Sequence, residues 1–176
     1  MKRLLPLIGL LTSLSFAHAQ SFIANLNGAQ DGGAGRTGSG IINLTLTGTT
    51  FTFSGSFSGL SGTVNPGGFH IHAPAAAGAS ANVLYGLFPS VTLGADNKSG
   101  TISGSQTLVA GQLGFDIPTQ MSQLNNGLWY FNIHTSAFGG GEIRGQILPV
   151  PEPSTLALSA LGLSGLVVWR VRRRAA

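Results

Sequence analysis

The stretch Gly68-Phe69-His70-Ile71-His72-Ala73-Pro74 and its later counterpart Trp129-Tyr130-Phe131-Asn132-Ile133-His134-Thr135 decide the fold. In both, apolar and polar residues alternate with a period of two, which is typical of a β-strand with one buried face. The histidines fall on the face opposite the apolar row. We therefore predict two strands that bury their apolar rows and present His70, His72 and His134 on the other face.

The N-terminus predicts a segment that is removed from the mature protein. A basic start is followed by an apolar run over residues 4–16 and by the small-x-small site Ala17-His18-Ala19. This order is that of a secretory signal peptide, and the run is too short to be read as a spanning helix. We therefore predict a signal peptide over residues 1–19 and an exported body over residues 20–149.

The C-terminus, residues 150–176, predicts a second processing segment. Pro151-Glu152-Pro153 leads into an apolar stretch over residues 156–169, which is followed by a cluster of arginines. The stretch is near the short end of what crosses a bilayer, and an arginine cluster favours the cytoplasmic side. The tail therefore predicts a transmembrane helix that holds the exported body at the membrane before processing.

The body has little charge once both ends are set aside. Three basic and four acidic side chains give residues 20–149 a formal charge of −1. A nucleic-acid surface would need clustered lysine and arginine, so no nucleic-acid partner is expected. The chain has no cysteine, which excludes disulfides and thiolate metal sites.

The pattern of the body predicts an all-β fold. About seven short alternating strands are separated by glycine-containing turns, among them a hairpin of residues 42–46 and 51–57 around Gly48-Thr49. One short helix is predicted over residues 118–124, and residues 27–40, with Asp31 and Arg36, are predicted to form an exposed loop. We expect an antiparallel β-sandwich.

The histidines allow two interpretations. Side chains two residues apart on a strand lie about 7 Å apart on one face, so His70 and His72 suit a shared metal ion. If His134 lies on the adjacent strand, three imidazoles converge on a zinc or copper ion with an open position. Alternatively, the histidines form hydrogen bonds with Thr135, Asn132 or Glu142.

The body contains no complete catalytic constellation. Glu142 and Arg144 share a face of their strand and are placed to form an ion pair. Glu142 could also act as a general acid, but no second carboxylate lies nearby in sequence. The body has no nucleophile elbow, phosphate loop or dinucleotide fingerprint. The sequence therefore predicts a non-enzymatic protein.

The tail resembles the PEP-CTERM sorting signal of Gram-negative bacteria. The resemblance lies in Pro151, Glu152 and Pro153 followed by the apolar stretch and the arginines. It implies recognition by an exosortase, removal of the tail and delivery to the cell surface or to exopolysaccharide.

The body resembles the CHRD domain over nearly all of residues 20–149. The motif residues are Asn132, His134, Glu142, Arg144 and Gly145, although Phe138 and Gly139 stand where the family often has a proline before paired glycines. The resemblance implies an extracellular β-sandwich, immunoglobulin-like or superoxide-dismutase-like, and no settled biochemical activity.

Residues 68–72 are also similar to the copper-binding strand of copper-zinc superoxide dismutases. The likeness covers five residues, and the cysteine and the histidine-rich zinc loop of that family are missing. Dismutase activity is therefore not expected, whereas a simpler copper or zinc site remains an alternative.

These observations combine into one expectation with one alternative. We expect an exported, non-enzymatic protein that is handled by the export machinery and an exosortase, and that associates with exopolysaccharide or other surface proteins. The alternative is an extracellular metal-binding domain that uses His70, His72 and His134.

Overall fold

The computed structural model of the chain describes residues 19–87, 90–151 and 170. Nearly all of the predicted signal peptide lies outside the described residues, as do Glu152 and Pro153 of the sorting motif and the predicted transmembrane helix. Among the helices of the described part, none has both the length and the apolar character needed to cross a membrane.

The described chain is built from strands, with one short α-helix, α1 (Ile117–Asn125), and one turn of 3-10 helix, Ala29–Asp31. In chain order the strands are β1 (Gln20–Asn27), β2 (Ser39–Thr47), β3 (Thr50–Ser58), β4 (Val64–His72), β5 (Val83–Gly86), β6 (Val91–Leu93), β7 (Gly100–Thr107), β8 (Tyr130–Thr135) and β9 (Ile143–Pro149).

The strands form one antiparallel sheet with the order β5-β4-β8-β9-β1-β2-β3-β7-β6. The prediction of an antiparallel all-β fold is confirmed, but a single continuous sheet replaces the two sheets of a sandwich. This sheet curls on itself, because Phe53 of β3 and Phe131 of β8 pack with ring centroids 6.5 Å apart although three strands lie between theirs. Strand twist accumulates across a sheet of this width and closes it around its own apolar face.

The predicted hairpin is β2 and β3, paired from Thr47↔Thr50 to Ser39↔Ser58. Its two faces differ as expected, with an apolar inner row that is buried and an outer row of mostly hydroxyl side chains that is exposed. The inner rows of β2, β3, β4 and β8 supply much of one core cluster, which also contains Trp129 and Leu124.

The predicted helix is also present. The side chain of Asp116 accepts a hydrogen bond from the backbone N–H of Thr119 at 2.8 Å and caps the first turn, in which Pro118 lies. Gly127 follows the helix with a φ of 65°, as its sequence position predicts.

Two strands differ from the sequence prediction. β4 begins at Val64, although the sequence of Pro66, Gly67 and Gly68 is typical of a turn. Its pairing with β8 is irregular between Val64 and Phe69. β6 has only three residues and no clear alternation.

The short strands β5 and β6 form the two edges of the sheet. The β5 edge is covered in part, because the side-chain amide of Gln112 donates to the backbone carbonyl of Leu84 at 2.7 Å. The edge carbonyl is therefore satisfied within the chain.

Gly55 permits the close approach of β2 and β3. A Cβ at this position would overlap the carbonyl oxygen of Ile41 and lie 2.8 Å from Cα of Ile42. We expect Gly55→Ala to lower the free energy of unfolding by about 1–3 kcal/mol, because backbone must move to admit the methyl group. Urea denaturation checks this, with Gly140→Ala as the control, because a Cβ there has nothing within 4 Å. Equal stability of the two variants would contradict the prediction.

Candidate metal centre

Three histidines converge on the outer face of β4 and β8. The two strands are antiparallel neighbours, with His70 opposite Asn132 and His72 opposite Tyr130. One nitrogen from each of His70, His72 and His134 forms a group whose members all lie within 4.8 Å of one another. The ring centroids are 4.9 Å to 5.7 Å apart. The strand adjacency assumed for the three-histidine site is thus present.

Backbone carbonyls orient two of the three rings. Nδ1 of His72 lies 3.0 Å from the carbonyl oxygen of Ala81, and Nδ1 of His134 lies 2.9 Å from that of Gly139. Since a carbonyl only accepts, both Nδ1 atoms carry the proton and both Nε2 atoms keep a lone pair. The partners of these two rings are therefore backbone carbonyls of the neighbouring loops, and not the expected side chains of Thr135, Asn132 or Glu142.

Three imidazole nitrogens remain without partners in this part of the chain. Nδ1 of His70 and Nε2 of His72 and of His134 are buried and form no hydrogen bond among the described residues. Buried polar atoms in native proteins are usually hydrogen-bonded. Three unpaired nitrogens at one place are therefore the feature of this surface that needs an explanation.

The environment keeps two of the rings neutral. Burial lowers the pKa of His72 to about 4, more strongly than the hydrogen bond with Ala81 raises it. Burial and then the charge of His134 lower the pKa of His70, against a raising contribution from the backbone of Gly67. A neutral imidazole is the form that binds a metal ion.

Tyr130 supports the buried ring of His72. The two rings are stacked, with centroids 4.9 Å apart and planes 4° apart. The Tyr130 hydroxyl accepts a hydrogen bond from the N–H of Ala81 at 3.1 Å, and the Arg144 guanidinium lies 4.9 Å from the centroid of the Tyr130 ring. Tyr130 thus holds both His72 and the residue that orients it.

The loop over residues 73–82 is tied to the same face. Arg144 donates from Nη1 to the carbonyl of Ala79 at 3.1 Å, and Gln146 donates to the carbonyl of Ala75 at 2.7 Å. Alanine and glycine predominate in this loop, so its backbone can approach the sheet closely. The loop that carries the carbonyl partner of His72 is therefore held at several points.

The glycine turn over residues 139–141 holds the other side of the site. Its three carbonyls accept in order from Nδ1 of His134, from the amide of Asn132 at 3.4 Å and from Nε of Arg36 at 3.1 Å. A Cβ on Gly141, whose φ is 129°, would overlap the carboxylate of Asp31. Only glycine lets the turn lie this close to the carboxylate.

Asp31 and Arg36 pack against the site, although much of the loop that carries them is exposed, as predicted. The Asp31 side chain is only 12% exposed, and its Oδ1 lies 3.8 Å from Nε of Arg144. Burial raises the pKa of Asp31, although the charges of Arg144, Arg36 and His134 oppose the shift. The packing of Asp31 and Arg36 has no signal in the sequence, because glycine-rich segments with charges usually lie on the surface.

The Glu142 side chain stabilises the fold through hydrogen bonds within the chain. Its fully buried carboxylate accepts hydrogen bonds from the backbone N–H groups of Ser61 and Gly62 and from the hydroxyl of Thr135 at 2.7 Å. Burial would raise the pKa of Glu142, but these hydrogen bonds outweigh it and the pKa is lowered. A lowered pKa does not suit the general acid considered from the sequence.

The expected pair between Glu142 and Arg144 is absent from the described residues. Arg144 instead lies beside Asp31 and donates to the carbonyls of Gln30 and Ala79. Gly145 allows β9 to approach β1, since a Cβ there would overlap the carbonyl of Asn25. Of the motif residues other than His134, Asn132 and Arg144 thus hold the turn and the loop beside the histidines, whereas Glu142 and Gly145 hold other parts of the fold.

Comparisons with known proteins locate two regions. The family model described as CHRD domain matches residues 22–147, which is most of the chain, and the model described as PEP-CTERM protein-sorting motif matches residues 149–174. The comparison with curated proteins found no match, and neither did the comparison with solved structures. The first match contains all three histidines.

Proposed function

This chain belongs to the CHRD domain family, and from that premise we propose that it is an exported surface protein whose domain binds a transition-metal ion through His70, His72 and His134. Two observations carry the proposal: one nitrogen from each of the three imidazoles lies within 4.8 Å of the others, and each ring has a buried nitrogen without a hydrogen-bond partner among the described residues. A bound ion satisfies all three lone pairs at once. Structural histidines would instead use both ring nitrogens in hydrogen bonds.

The chain carries a PEP-CTERM sorting motif, which implies processing by an exosortase. We extend this to delivery to the cell surface or exopolysaccharide of a Gram-negative bacterium, after the export machinery has acted and the apolar C-terminal stretch, predicted to be a transmembrane helix, has held the chain in the membrane. Association with exopolysaccharide is supported by the sorting motif alone. The described aromatic side chains are buried or half-buried, whereas sugar binding by stacking uses exposed rings.

The proposed role is binding and not catalysis. The carboxylate of Glu142 is committed to three hydrogen bonds with the chain itself. Asp31 lies beside Arg144, with Oδ1 3.8 Å from Nε of the guanidinium. These two contacts favour metal binding over acid–base chemistry for the domain.

Metal binding is expected to stabilise the full chain. At a free metal concentration of 100 times Kd, a ligand that binds only the native state adds about 2.7 kcal/mol to the free energy of unfolding, which is a rise in Tm of roughly 5–10 °C. The measurement is thermal melting with copper, with zinc and with a chelator, together with elemental analysis of the purified chain.

Two variants separate specific from adventitious binding. His72→Ala should abolish the rise in Tm, whereas Asp96→Asn should retain it, because Asp96 lies at an exposed turn and is not part of the histidine cluster. Absence of stoichiometric metal with either ion, or an equal rise in both variants, would overturn the proposal.

A further inference from the structure

We infer that the three-histidine site prefers copper(II), which it binds through Nδ1 of His70 and Nε2 of His72 and of His134, and that it keeps an exchangeable fourth position. This inference rests on the proposed metal-binding function and deepens it in three respects: the donor atoms, the metal and the open position. Each has its own argument.

The donor atoms follow from the hydrogen bonds of the rings. His72 and His134 each use Nδ1 on a carbonyl, of Ala81 and of Gly139 respectively, which leaves Nε2 for the metal. In His70 the buried atom without a partner is Nδ1. A hydrogen bond that fixes one ring nitrogen decides which nitrogen binds the metal. The site is therefore asymmetric, with one Nδ1 and two Nε2 donors.

The donor set excludes several metals. The cluster consists of imidazoles alone, and no carboxylate of the described residues joins it. Calcium and magnesium need oxygen ligands, and the chain has no cysteine for soft ions. Imidazole sites of this kind suit zinc and copper, and affinity for a given nitrogen site rises from zinc to copper(II) in the Irving–Williams order. Copper(II) is therefore the favoured occupant.

The open position follows from the number and the exposure of the ligands. Structural zinc sites are closed by four protein ligands, whereas sites with three keep a place for water or another small ligand. Here the described residues supply three ligands. The three donor nitrogens are buried, but the rings of His70 and His134 are only half-buried, so the cluster lies close to the surface. A fourth ligand is therefore expected to enter and leave without unfolding of the chain.

A competition experiment on the full chain tests the choice of metal. With copper(II) and zinc at equal total concentration, and both in excess over protein, copper is expected to occupy at least about tenfold more sites than zinc. If neither ion binds, the proposed function itself fails. If zinc binds through the histidines and matches copper in the competition, the proposed function stands and the preference for copper is refuted.

Electron paramagnetic resonance of the copper-loaded chain tests the coordination. We expect coupling to three nitrogens and a change of the spectrum on addition of azide, which replaces the fourth ligand. Asp96→Asn, at an exposed turn outside the histidine cluster, should give the same spectrum as the unaltered chain. A four-nitrogen spectrum that azide leaves unchanged would refute the open position.

Paired substitutions test the donor atoms. An asparagine amide lies near the position of a histidine Nδ1, and a glutamine amide reaches nearer to that of Nε2. His70→Asn should therefore retain more copper affinity than His70→Gln, whereas His72→Gln should retain more than His72→Asn. Circular dichroism of each variant at the temperature of the affinity measurement ensures that only folded chains are compared. The reverse order at either position would overturn the assignment.

Discussion

Replacing Phe131 with alanine is expected to lower the free energy of unfolding of the full chain by about 4 kcal/mol. Phe131 is completely buried, and its ring packs against Phe53 at 6.5 Å and Phe69 at 6.0 Å between centroids. Because the contact with Phe53 joins strands at distant positions in the sheet, the cavity would open where the sheet closes on itself. Few neighbours there can collapse into the space, so the loss should be near the upper part of the usual range.

Urea denaturation without added metal measures this loss and keeps it separate from binding. Phe131→Leu, which fills most of the volume, should lose roughly 1–2 kcal/mol. Phe138→Ala is the matched control on the glycine turn, where the ring is half-buried under Arg36, and should lose under about 1 kcal/mol. If Phe131→Ala were no more destabilising than Phe138→Ala, the aromatic contact across the curled sheet would not hold it closed.

Replacing Glu142 with glutamine is expected to cost about 3 kcal/mol, because the shape is kept while charge-assisted hydrogen bonds are lost. The amide has one acceptor oxygen where the carboxylate has two. Its NH2 group would face a backbone N–H of Ser61 or Gly62, which then has no acceptor. Urea denaturation at neutral pH measures the loss, with Asp96→Asn, which makes the same charge change at an exposed turn, as the control.

The same residue gives stability a pH dependence of known sign. The pKa of Glu142 is lowered in the folded chain from an ordinary value of 4.5. Its contribution is therefore fully present above pH 4.5 and is lost as the pH falls from there through the lowered folded value. Glu142→Gln should flatten the fall in stability over that window, and Asp96→Asn should flatten it less. Identical profiles for the unaltered chain and Glu142→Gln would contradict a hydrogen-bonded, ionised Glu142.

Local structure was predictable because the strands of this chain alternate with a regular period. Phe51, Phe53 and Phe57 face the core as the pattern indicates, and the helix begins at the predicted proline within one residue. Alternation tells which face of a strand is buried but not whether consecutive strands belong to one sheet. The single curled sheet therefore had no signature in the sequence.

The sequence predicts the three histidine ligands of the candidate site, but it does not predict the groups that orient their rings. His70 and His72 share a face by spacing, and the family motif pointed to His134. The partners that orient the rings are backbone carbonyls of Ala81 and Gly139, and a carbonyl is present at every residue, so it leaves no trace in the sequence. The alternation of the second strand also puts Tyr130 on the histidine face, two and four residues from Asn132 and His134, but its stacking on His72 depends on strand register, which alternation does not fix.

The edges of the sheet affect how the protein behaves at high local concentration. Proteins that accumulate at one place meet their own copies often, and a long unpaired strand would act as a template for polymerisation. Here the edge strand β6 is only three residues long and pairs with Gly100–Ile102 of β7, and at the other edge Gln112 occupies the carbonyl of Leu84. Such short edge strands offer a neighbouring copy little to extend, so we expect them to limit polymerisation at high density.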